Sequence, residues 1–206
     1  MDPNEIRAWR EHVQVGNAYI NRPITGAVVQ RQPFGGWKKS AVGPGAKAGG
    51  PNYLFQLGTW SQVVDVEENY EVVWQDTFAK EHDPTRLFCE SNVLRYRPYK
   101  KILLRTGAAA HSIKLAKVKK ALTLCGVDHA ECEAGDNWLS YFKSGDFDRV
   151  RYIGCEPTEE ERREACVRGM YLDSSEVVSE GRIELLKYLK EQAISQTLHR
   201  FGNLVL

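Results

Sequence analysis

The chain has 206 residues, of which 42% are hydrophobic and 27% are charged, and its formal net charge is +1. This length allows one core of ordinary size, or one domain with part of another, and the composition is typical of a globular protein. The near-zero charge excludes the strongly basic proteins that bind nucleic acid or anionic membranes by bulk charge. No apolar run approaches the roughly 20 residues of a membrane span. We therefore expect neither a nucleic-acid partner nor a membrane span.

The cysteines and the N-terminus bear on cellular location. The five cysteines are odd in number, and no two of them form a C-x-x-C pair. This pattern indicates neither a disulfide framework nor a zinc site, so we expect reduced thiols and no bound metal. The N-terminal stretch "MDPNEIRAWREH" is polar and lacks the apolar centre of a signal peptide. These features favour a cytoplasmic location.

The first quarter of the chain predicts a helix, a strand and a long loop. Asp2 is a good N-cap and Pro3 suits the first helical position, which predicts a short helix that ends near His12. Residues 13–21, "VQVGNAYIN", alternate in the manner of a strand. Residues 24–52 are rich in glycine and have no period, but their valine, phenylalanine and tryptophan side chains are unlike those of a disordered tract. This segment is therefore predicted to be a long ordered loop, and such loops are usually functional.

The composition changes again further along the chain. Residues 59–97 are acidic and mixed, and we expect a domain boundary there. In that region "VVDVEENYEVVW" fits either strand or helix, and "KEHDPTRLFCESNVLRYRP" looks like a connector because its prolines discourage regular structure. After Pro98, short strand patterns alternate with helix patterns, which predicts a largely parallel sheet covered by helices. The predicted strands are "KILLR", "VDHAEC", "RVRYIG" and a final "AISQTLHRF", the predicted helices are "HSIKLAKVKKALTLCG", "PTEEERREACVRGM" and "GRIELLKYLKEQ", and "YLDSSEVV" is predicted to be extended.

The stretch "GPGAKAGG" resembles a nucleotide loop only superficially. A phosphate loop needs Gly-Lys-Ser/Thr after four spacer residues, whereas Gly45 is followed by Ala46, Lys47 and Ala48. A dinucleotide fingerprint needs a third glycine where Ala48 stands, and a helix that the pattern here does not provide. Both nucleotide interpretations are therefore disfavoured. Lys47 and the lysines of "WKK" form a small basic patch that fits an anionic ligand or plain solvent exposure.

The same region carries a family resemblance. The stretch "VGNAYINRPITGAVVQRQPFGGWKKSAVGPGAKAGGPNYL" contains the tokens "GN-Y-NR", "TGA", "QPFGG" and "AGGP" in order. It resembles the C-terminal end of the catalytic domain in aldehyde dehydrogenases. The most similar group oxidises L-glutamate γ-semialdehyde (1-pyrroline-5-carboxylate) in proline breakdown and includes the bacterial bifunctional proline utilization A proteins. The tail "GRIELLKYLKEQAISQTLHRFGN" is similar to the C-terminal segment of some of those proteins.

The resemblance implies a fold and a division into domains. The implied fold class is α/β, with a C-terminal fragment of an aldehyde dehydrogenase catalytic domain followed by a small Rossmann-like α/β domain and a C-terminal tail strand. The tail is expected to dock at a sheet edge and to serve oligomerisation. The expected ranges are 1–60 for the dehydrogenase end, 61–98 for a connector, 99–180 for the Rossmann-like domain and 181–206 for the helix and tail.

The resemblance also assigns a role to the long loop, which in this family anchors the aldehyde. Backbone groups of Gly26 and Ala27 are implied to receive the α-carboxylate, and Phe34 is implied to pack on the aliphatic part of L-glutamate γ-semialdehyde. The chemistry fits, because N–H groups in a glycine turn form an anion-binding concavity and an aromatic ring confines methylene groups. Gly35 and Gly36 would allow close backbone approach. The alternative is that Phe34 and Trp37 are ordinary core residues.

The reactive groups of the family are not recognised in this sequence. An aldehyde dehydrogenase uses a thiolate nucleophile in a context such as Gly-Gln-x-Cys and a glutamate base in Glu-Leu-Gly-Gly. The five cysteine contexts do not match, and "IELLKY" around Glu184 is a helix pattern. The expectation is therefore a C-terminal portion that is inactive alone, with no site residue for NAD, which the intact enzyme uses. Its expected partners are the upstream dehydrogenase domains and further copies in a homo-oligomer. The alternative function is a non-catalytic α/β structural or assembly module.

Overall fold

The computed structural model describes residues 2–24, 26–41, 43–64, 66–110, 112–144 and 146–199. These residues form two compact units between which the chain passes more than once. Unit 1 is built from the described residues of Met1–Leu57, Phe78–Arg97 and Lys190–Leu206, and unit 2 from those of Gly58–Thr77 and Pro98–Leu189.

Both units contain helices and strands. The strands are β1 (Asn17–Ile20), β2 (Glu90–Pro98), β3 (Lys101–Thr106), β4 (Asp128–Glu133), β5 (Arg149–Ile153), β6 (Tyr171–Asp173) and β7 (Leu189–Thr197). The α-helices are α1 (Pro3–His12), α2 (Tyr70–Val73), α3 (Ser112–Cys125), α4 (Trp138–Ser144), α5 (Glu159–Arg168) and α6 (Gly181–Glu184). Short 3₁₀ segments lie at Lys38–Ser40, Tyr53–Leu57 and Leu185–Tyr188, and a π-helical turn at Trp74–Phe78 follows α2.

Unit 1 is organised around a three-stranded sheet in the order β1-β7-β2. The parallel pair of β1 and β7 sets Asn17 opposite Ala193. A small apolar core of Ala18, Ile20, Val93 and Ile194 joins all three strands, and Ile6 of α1 packs against it. The most C-terminal strand is therefore the central one, and it holds together two segments that lie far apart in the sequence.

Unit 2 is a four-stranded parallel sheet in the order β4-β3-β5-β6, and α3, α4 and α5 connect consecutive strands. Leu103 packs into the cluster with Phe142 and Val150 on one face. Ile102 and Leu104 are also fully buried, and because strand side chains alternate, they lie on the other face. Burial on both faces explains why β3 reads as a continuous apolar run.

Several predicted elements are confirmed, together with the α/β fold class. Helix α1 starts as predicted, with Asp2 Oδ1 accepting a hydrogen bond from Asn4 N at 2.8 Å. Helix α5 has Thr158 as its N-cap in a capping box and ends at Gly169 in the left-handed conformation. Strands β3, β4 and β5 coincide with their predicted segments, and α3 ends at the expected glycine.

Other predictions were wrong. The predicted connector contains the nine-residue strand β2, because its burial in unit 1 outweighs the discouraging effect of proline at its end. The helix predicted for "GRIELLKYLKEQ" ends at Tyr188, and its last four residues begin β7. That strand was expected to dock at an edge but is the middle strand of its sheet, which is why most of its residues are buried. The predicted strand at 13–21 is only four residues long, and helix α4 was not predicted.

The units also divide the chain differently from the expected ranges. The region expected as a connector, 61–98, contributes to both units, and residues 190–199 belong to unit 1 together with the N-terminal segment. Within the described ranges, no helix is both long and apolar enough to cross a membrane.

Candidate functional site

The long loop of residues 24–52, called the anchor loop below, is ordered by bridges between its own parts. Phe34 pairs with Ala48 in an antiparallel bridge, and a tighter bridge joins Val28 to Gln32. Gln30 has a positive φ of 62° and donates its backbone N–H to Gly49 O at 2.8 Å. The prediction of a long ordered loop is therefore confirmed, because backbone pairing replaces regular secondary structure. Thr25 and Val42 lie outside the described residues of this loop.

Gly26 and Ala27 lie on an exposed turn of the anchor loop. Gly26 has a φ of 111°, a conformation that side-chain-bearing residues rarely adopt, so the turn requires glycine. Its carbonyl accepts a hydrogen bond from Tyr19 Oη at 3.1 Å. Among the described residues, the backbone N–H groups of Gly26 and Ala27 donate to no protein acceptor. The turn therefore offers two exposed backbone donors.

The two aromatic residues of the loop have different environments. Trp37 is only 8% exposed, and its indole N–H donates to Glu191 O at 2.8 Å while the Lys190 ammonium lies 5.0 Å from its ring centre. Phe34 is 55% exposed. Trp37 is therefore a core residue of unit 1, as the alternative interpretation expected, whereas the ring of Phe34 is available for contact.

Glycines allow tight packing around the part of the anchor loop that follows Phe34. A Cβ on Gly36 would lie 2.5 Å from Ser40 Cβ, and one on Gly16 would lie 2.3 Å from Gly35 O. Real Cβ atoms do not approach so closely, so the "QPFGG" segment depends on the absence of side chains. The predicted close approach at Gly36 is confirmed.

Strand β7 fastens the anchor loop through one carboxylate. Glu191 is 4% exposed, and its Oε2 accepts the backbone N–H of Lys47 at 3.2 Å while Oε1 accepts Asn52 Nδ2 at 2.7 Å. Its backbone carbonyl accepts from Trp37. Three points spread over the loop therefore converge on one residue of β7. Sequence reasoning missed Glu191, because nothing in the pattern shows that "LKEQ" leaves the preceding helix for the central strand.

Lys47 is not an exposed member of a basic patch. The whole side chain is buried, with 0% exposure. Burial lowers the pKa of Lys47 to about 8, and the nearby Glu191 carboxylate partly opposes this effect. The interpretation of this residue as solvent-exposed was wrong. The glycine-rich stretch around Lys47 is followed by the Phe34–Ala48 bridge and a 3₁₀ segment. Both nucleotide-binding motifs would instead be followed by an α-helix.

A polar cluster lies next to Gly26. Glu90 accepts from Arg31 at 2.6 Å and from Arg22 at 3.4 Å, so two guanidinium groups share one carboxylate. With its amide turned to suit its neighbours, Gln32 accepts from Arg22 Nη1 at 2.9 Å. The other end of that amide lies 3.5 Å from where a Cβ of Gly26 would be. The cluster keeps an excess of positive charge next to the exposed turn.

Three of the five thiols show little capacity for nucleophilic attack. Burial raises the pKa of Cys125 to about 12, and burial also raises the pKa of Cys132 and Cys155 despite the opposing charge of Arg105. A nucleophilic cysteine needs a lowered pKa, so these three are structural residues. Glu184 is no better as a base, because its buried carboxylate is held by Arg151 and Lys187, and these charges outweigh burial and lower its pKa.

Unit 2 has the strand order of a nucleotide-binding sheet, with the order reversing between β3 and β5. Ligands of such sheets bind at this point, beyond the carboxyl ends of the strands. Here the two loops touch: a Cβ on Gly154 would lie 2.3 Å from Ala110 N, and one on Gly107 would lie 2.5 Å from Gly154 O. The backbones of these two loops are therefore in close contact at the point where such sheets bind their ligands.

Comparisons with known proteins identify relatives of the segment that carries the anchor loop. Residues 1–63 match the family model described as the aldehyde dehydrogenase family. The 1-pyrroline-5-carboxylate dehydrogenases of Bacillus thuringiensis strain Al Hakam and Bacillus cereus strain B4264 are each 53% identical to the chain over 51 residues. That stretch covers 25% of this chain and 10% of each relative.

A solved structure matches almost the whole chain. It is that of Proline Utilization A (PutA) from Corynebacterium freiburgense, with a TM-score of 0.80 and 40% sequence identity. The match covers 99% of this chain and 23% of that one. The chain thus spans about a tenth of the curated relatives it matches and less than a quarter of the structural relative.

Proposed function

We infer, from the match of residues 1–63 to the aldehyde dehydrogenase family, that the chain is part of an NAD-dependent enzyme that oxidises L-glutamate γ-semialdehyde to glutamate. The anchor loop grips the substrate in this proposal, and other parts of the enzyme supply the nucleophile, the base and the NAD-binding fold. The observation that carries the proposal is the exposed Phe34 ring on the same ordered loop as the unbonded N–H groups of Gly26 and Ala27. In the intact enzyme, NAD would supply the hydride acceptor.

The charge around the turn supports a carboxylate as the group that it binds. Backbone N–H groups that face solvent in a turn bind anions, and Arg22 and Arg31, which share the carboxylate of Glu90, place two guanidinium groups in the neighbouring polar cluster. The substrate carries an α-carboxylate at one end and an aldehyde at the other. Holding the carboxylate at Gly26 and Ala27 therefore orients the aldehyde away from this chain, toward the reactive groups of the intact enzyme.

Phe34 would act on the part of the substrate between these ends. Its exposed ring can cover methylene groups without offering them a polar partner. Fixing both the charged end and the carbon chain lowers the entropy lost on reaching the reactive geometry, which is the main contribution that positioning residues make to catalysis.

The experiment is the substitution Phe34→Ala in the full-length enzyme. We expect the KM for the semialdehyde to rise about tenfold, since the ring loses its contact with the methylene groups, while the KM for NAD stays within about twofold. Phe88→Ala is the matched control, because Phe88 is also an exposed phenylalanine of unit 1, at 67%. Equal increases in both Michaelis constants, or an equal effect of the control, would count against the substrate role.

A second candidate function is a structural module, and the observation in its favour is unit 2. Its sheet has a nucleotide-binding order, but the loops that follow β3 and β5 touch at the switch point, which suits packing better than ligand binding. In this alternative the chain is a non-catalytic structural or assembly module and not part of a dehydrogenase. The DNA next to the gene discriminates between the two functions, because an adjacent reading frame with a Gly-Gln-x-Cys segment favours the dehydrogenase and its absence favours the module. In the dehydrogenase proposal, the intact enzyme is cytoplasmic and homo-oligomeric.

A further inference from the structure

The backbone that carries Phe34 is hydrogen-bonded on every side. Phe34 N donates to Ala48 O at 3.0 Å, and Ala48 N donates to Phe34 O at 2.8 Å. The amide of Asn17 spans the residue, since its Nδ2 donates to Pro33 O at 2.9 Å and its Oδ1 accepts Gly35 N at 3.0 Å. Four consecutive backbone groups are thereby held, two of them by one side chain of β1.

Lys47 completes this arrangement. Its ammonium donates to Gly35 O and, at 3.1 Å, to the same Asn17 Oδ1 that accepts Gly35 N. The side chain is 0% exposed, and burying an ammonium group is costly unless hydrogen bonds compensate it. Its two acceptors, Gly35 O and Asn17 Oδ1, both belong to the groups that hold the backbone around Phe34. The position of this charge is therefore explained by the backbone that it holds.

The arrangement combines a rigid backbone with an exposed side chain. An aromatic ring that packs in the core would be buried, as that of Trp37 is. An exposed ring without a binding role does not require a backbone held by so many hydrogen bonds. Holding a binding residue in place through a surrounding layer of hydrogen bonds is the means by which sites reach productive geometry.

We propose that Lys47 and Asn17 are positioning residues for Phe34, and that they set the preference of the enzyme for the carbon chain of its aldehyde substrate. The inference rests on the proposed function, since Phe34 is given its substrate contact there. Neither residue touches the substrate. Both act by fixing the backbone from Pro33 to Gly35, so that the ring of Phe34 meets methylene groups at a constant position.

The test is a double-mutant cycle in the full-length enzyme, with Lys47→Met, Phe34→Ala and both together. Methionine keeps the length of the side chain and removes its donors. We expect Lys47→Met to raise the KM for the semialdehyde about tenfold in the wild-type background, and by less than about twofold when Phe34 is already alanine. An equal effect in both backgrounds would overturn the proposal, because a residue that acts through Phe34 has nothing to act on in its absence.

Asn17→Ala can replace Lys47→Met in the double-mutant cycle with Phe34→Ala, and it does not remove a buried charge. It tests the proposal if Lys47→Met does not fold. Lys143→Met is the control, since Lys143 is an exposed lysine of unit 2. A merely structural role would lower kcat for every aldehyde through the fraction of folded enzyme and leave KM unchanged. The expected signature is instead a change in KM that disappears for a short aldehyde without a carbon chain to cover.

A measurement on the 206-residue chain is independent of activity. The amide protons of Phe34 and Ala48 should exchange with solvent at least tenfold faster in Lys47→Met than in the wild type, while those of unit 2 are unchanged. Unchanged exchange at both amides contradicts the positioning role. If Phe34→Ala itself leaves KM unchanged, the proposed function fails. If that variant raises KM but Lys47→Met does not, only the present inference fails.

Discussion

Lys47 is a fully buried residue of the anchor loop, although its neighbours in the sequence are small residues and glycine. From the sequence it is one of several lysines around a glycine tract, with exposure as the ordinary expectation. Its burial follows from partners that lie 30 residues before it, at Asn17, and 144 residues after it, at Glu191. Phe34 shows the reverse, an apolar residue that is exposed. It stands between proline and glycine, and its side chain remains exposed because its backbone groups are already hydrogen-bonded.

The buried ammonium makes a prediction about stability and pH. The pKa of Lys47 is about 8 in the folded chain and about 10.5 when the side chain is in water, so between these values the unfolded chain binds more protons. The contribution of Lys47 to stability therefore rises with pH across this window, by an amount on the order of 2 to 3 kcal/mol. The buried thiols, whose pKa values are raised, change stability in the opposite direction, so the test is the difference between variants rather than the total stability. The free energy of unfolding of the wild type minus that of Lys47→Met, from urea titrations, should increase between pH 7.5 and pH 10.5, and the same difference taken with Lys143→Met should not change. A difference for Lys47→Met that does not depend on pH would contradict the prediction.

At the scale of elements, the position of β7 could not be derived from its own sequence. Its composition predicts a strand in "AISQTLHRF", but the residues before it continue a helical pattern. The strand starts at Leu189, before the predicted segment, because it lies between β1 and β2 and pairs with both of them. By contrast, β3, β4, β5 and the helices α3 and α5 follow from local patterns, since each contacts its neighbours in the chain order typical of parallel sheets.

The loops of unit 2 allow a test of how closely its elements approach each other. Gly154 and Gly169 both have left-handed backbones, with φ of 70° and 66°, but only at Gly154 would an added Cβ meet other atoms within 4 Å. Gly169→Ala should cost only the conformational strain, on the order of 1 kcal/mol. Gly154→Ala should cost on the order of 3 kcal/mol, because it adds a clash with backbone. Equal losses in the free energy of unfolding would show that the two loops do not touch.

At the scale of the whole molecule, the chain supplies part of an active site in our proposal. Its fold brings together the groups that bind a substrate in our proposal, whereas three of its five cysteines are buried thiols that resist ionisation. The loops that follow β3 and β5 touch each other at the point where nucleotides bind in related topologies. The proposal therefore divides binding and reactivity between this chain and the remainder of the enzyme.

This division predicts that the purified 206-residue chain does not oxidise L-glutamate γ-semialdehyde. A spectrophotometric assay of NAD reduction should show no activity above the background rate, even with excess substrate. The full-length enzyme at the same molar concentration is the positive control. NAD reduction that depends on the aldehyde and scales with the amount of chain would contradict the prediction and require a nucleophile among the present cysteines.

The sequence by itself indicated the resemblance to aldehyde dehydrogenases, the α/β class and most of the local elements, because these depend on short-range patterns. The ordered tokens from "GN-Y-NR" to "AGGP" were sufficient for the family match, and helix caps such as Asp2 and Thr158 placed their helices. The tertiary structure alone decided which residues support Phe34. Asn17, Lys47 and Glu191 meet only through pairing across long separations in the chain, and such pairing depends on burial and strand order rather than on any local pattern.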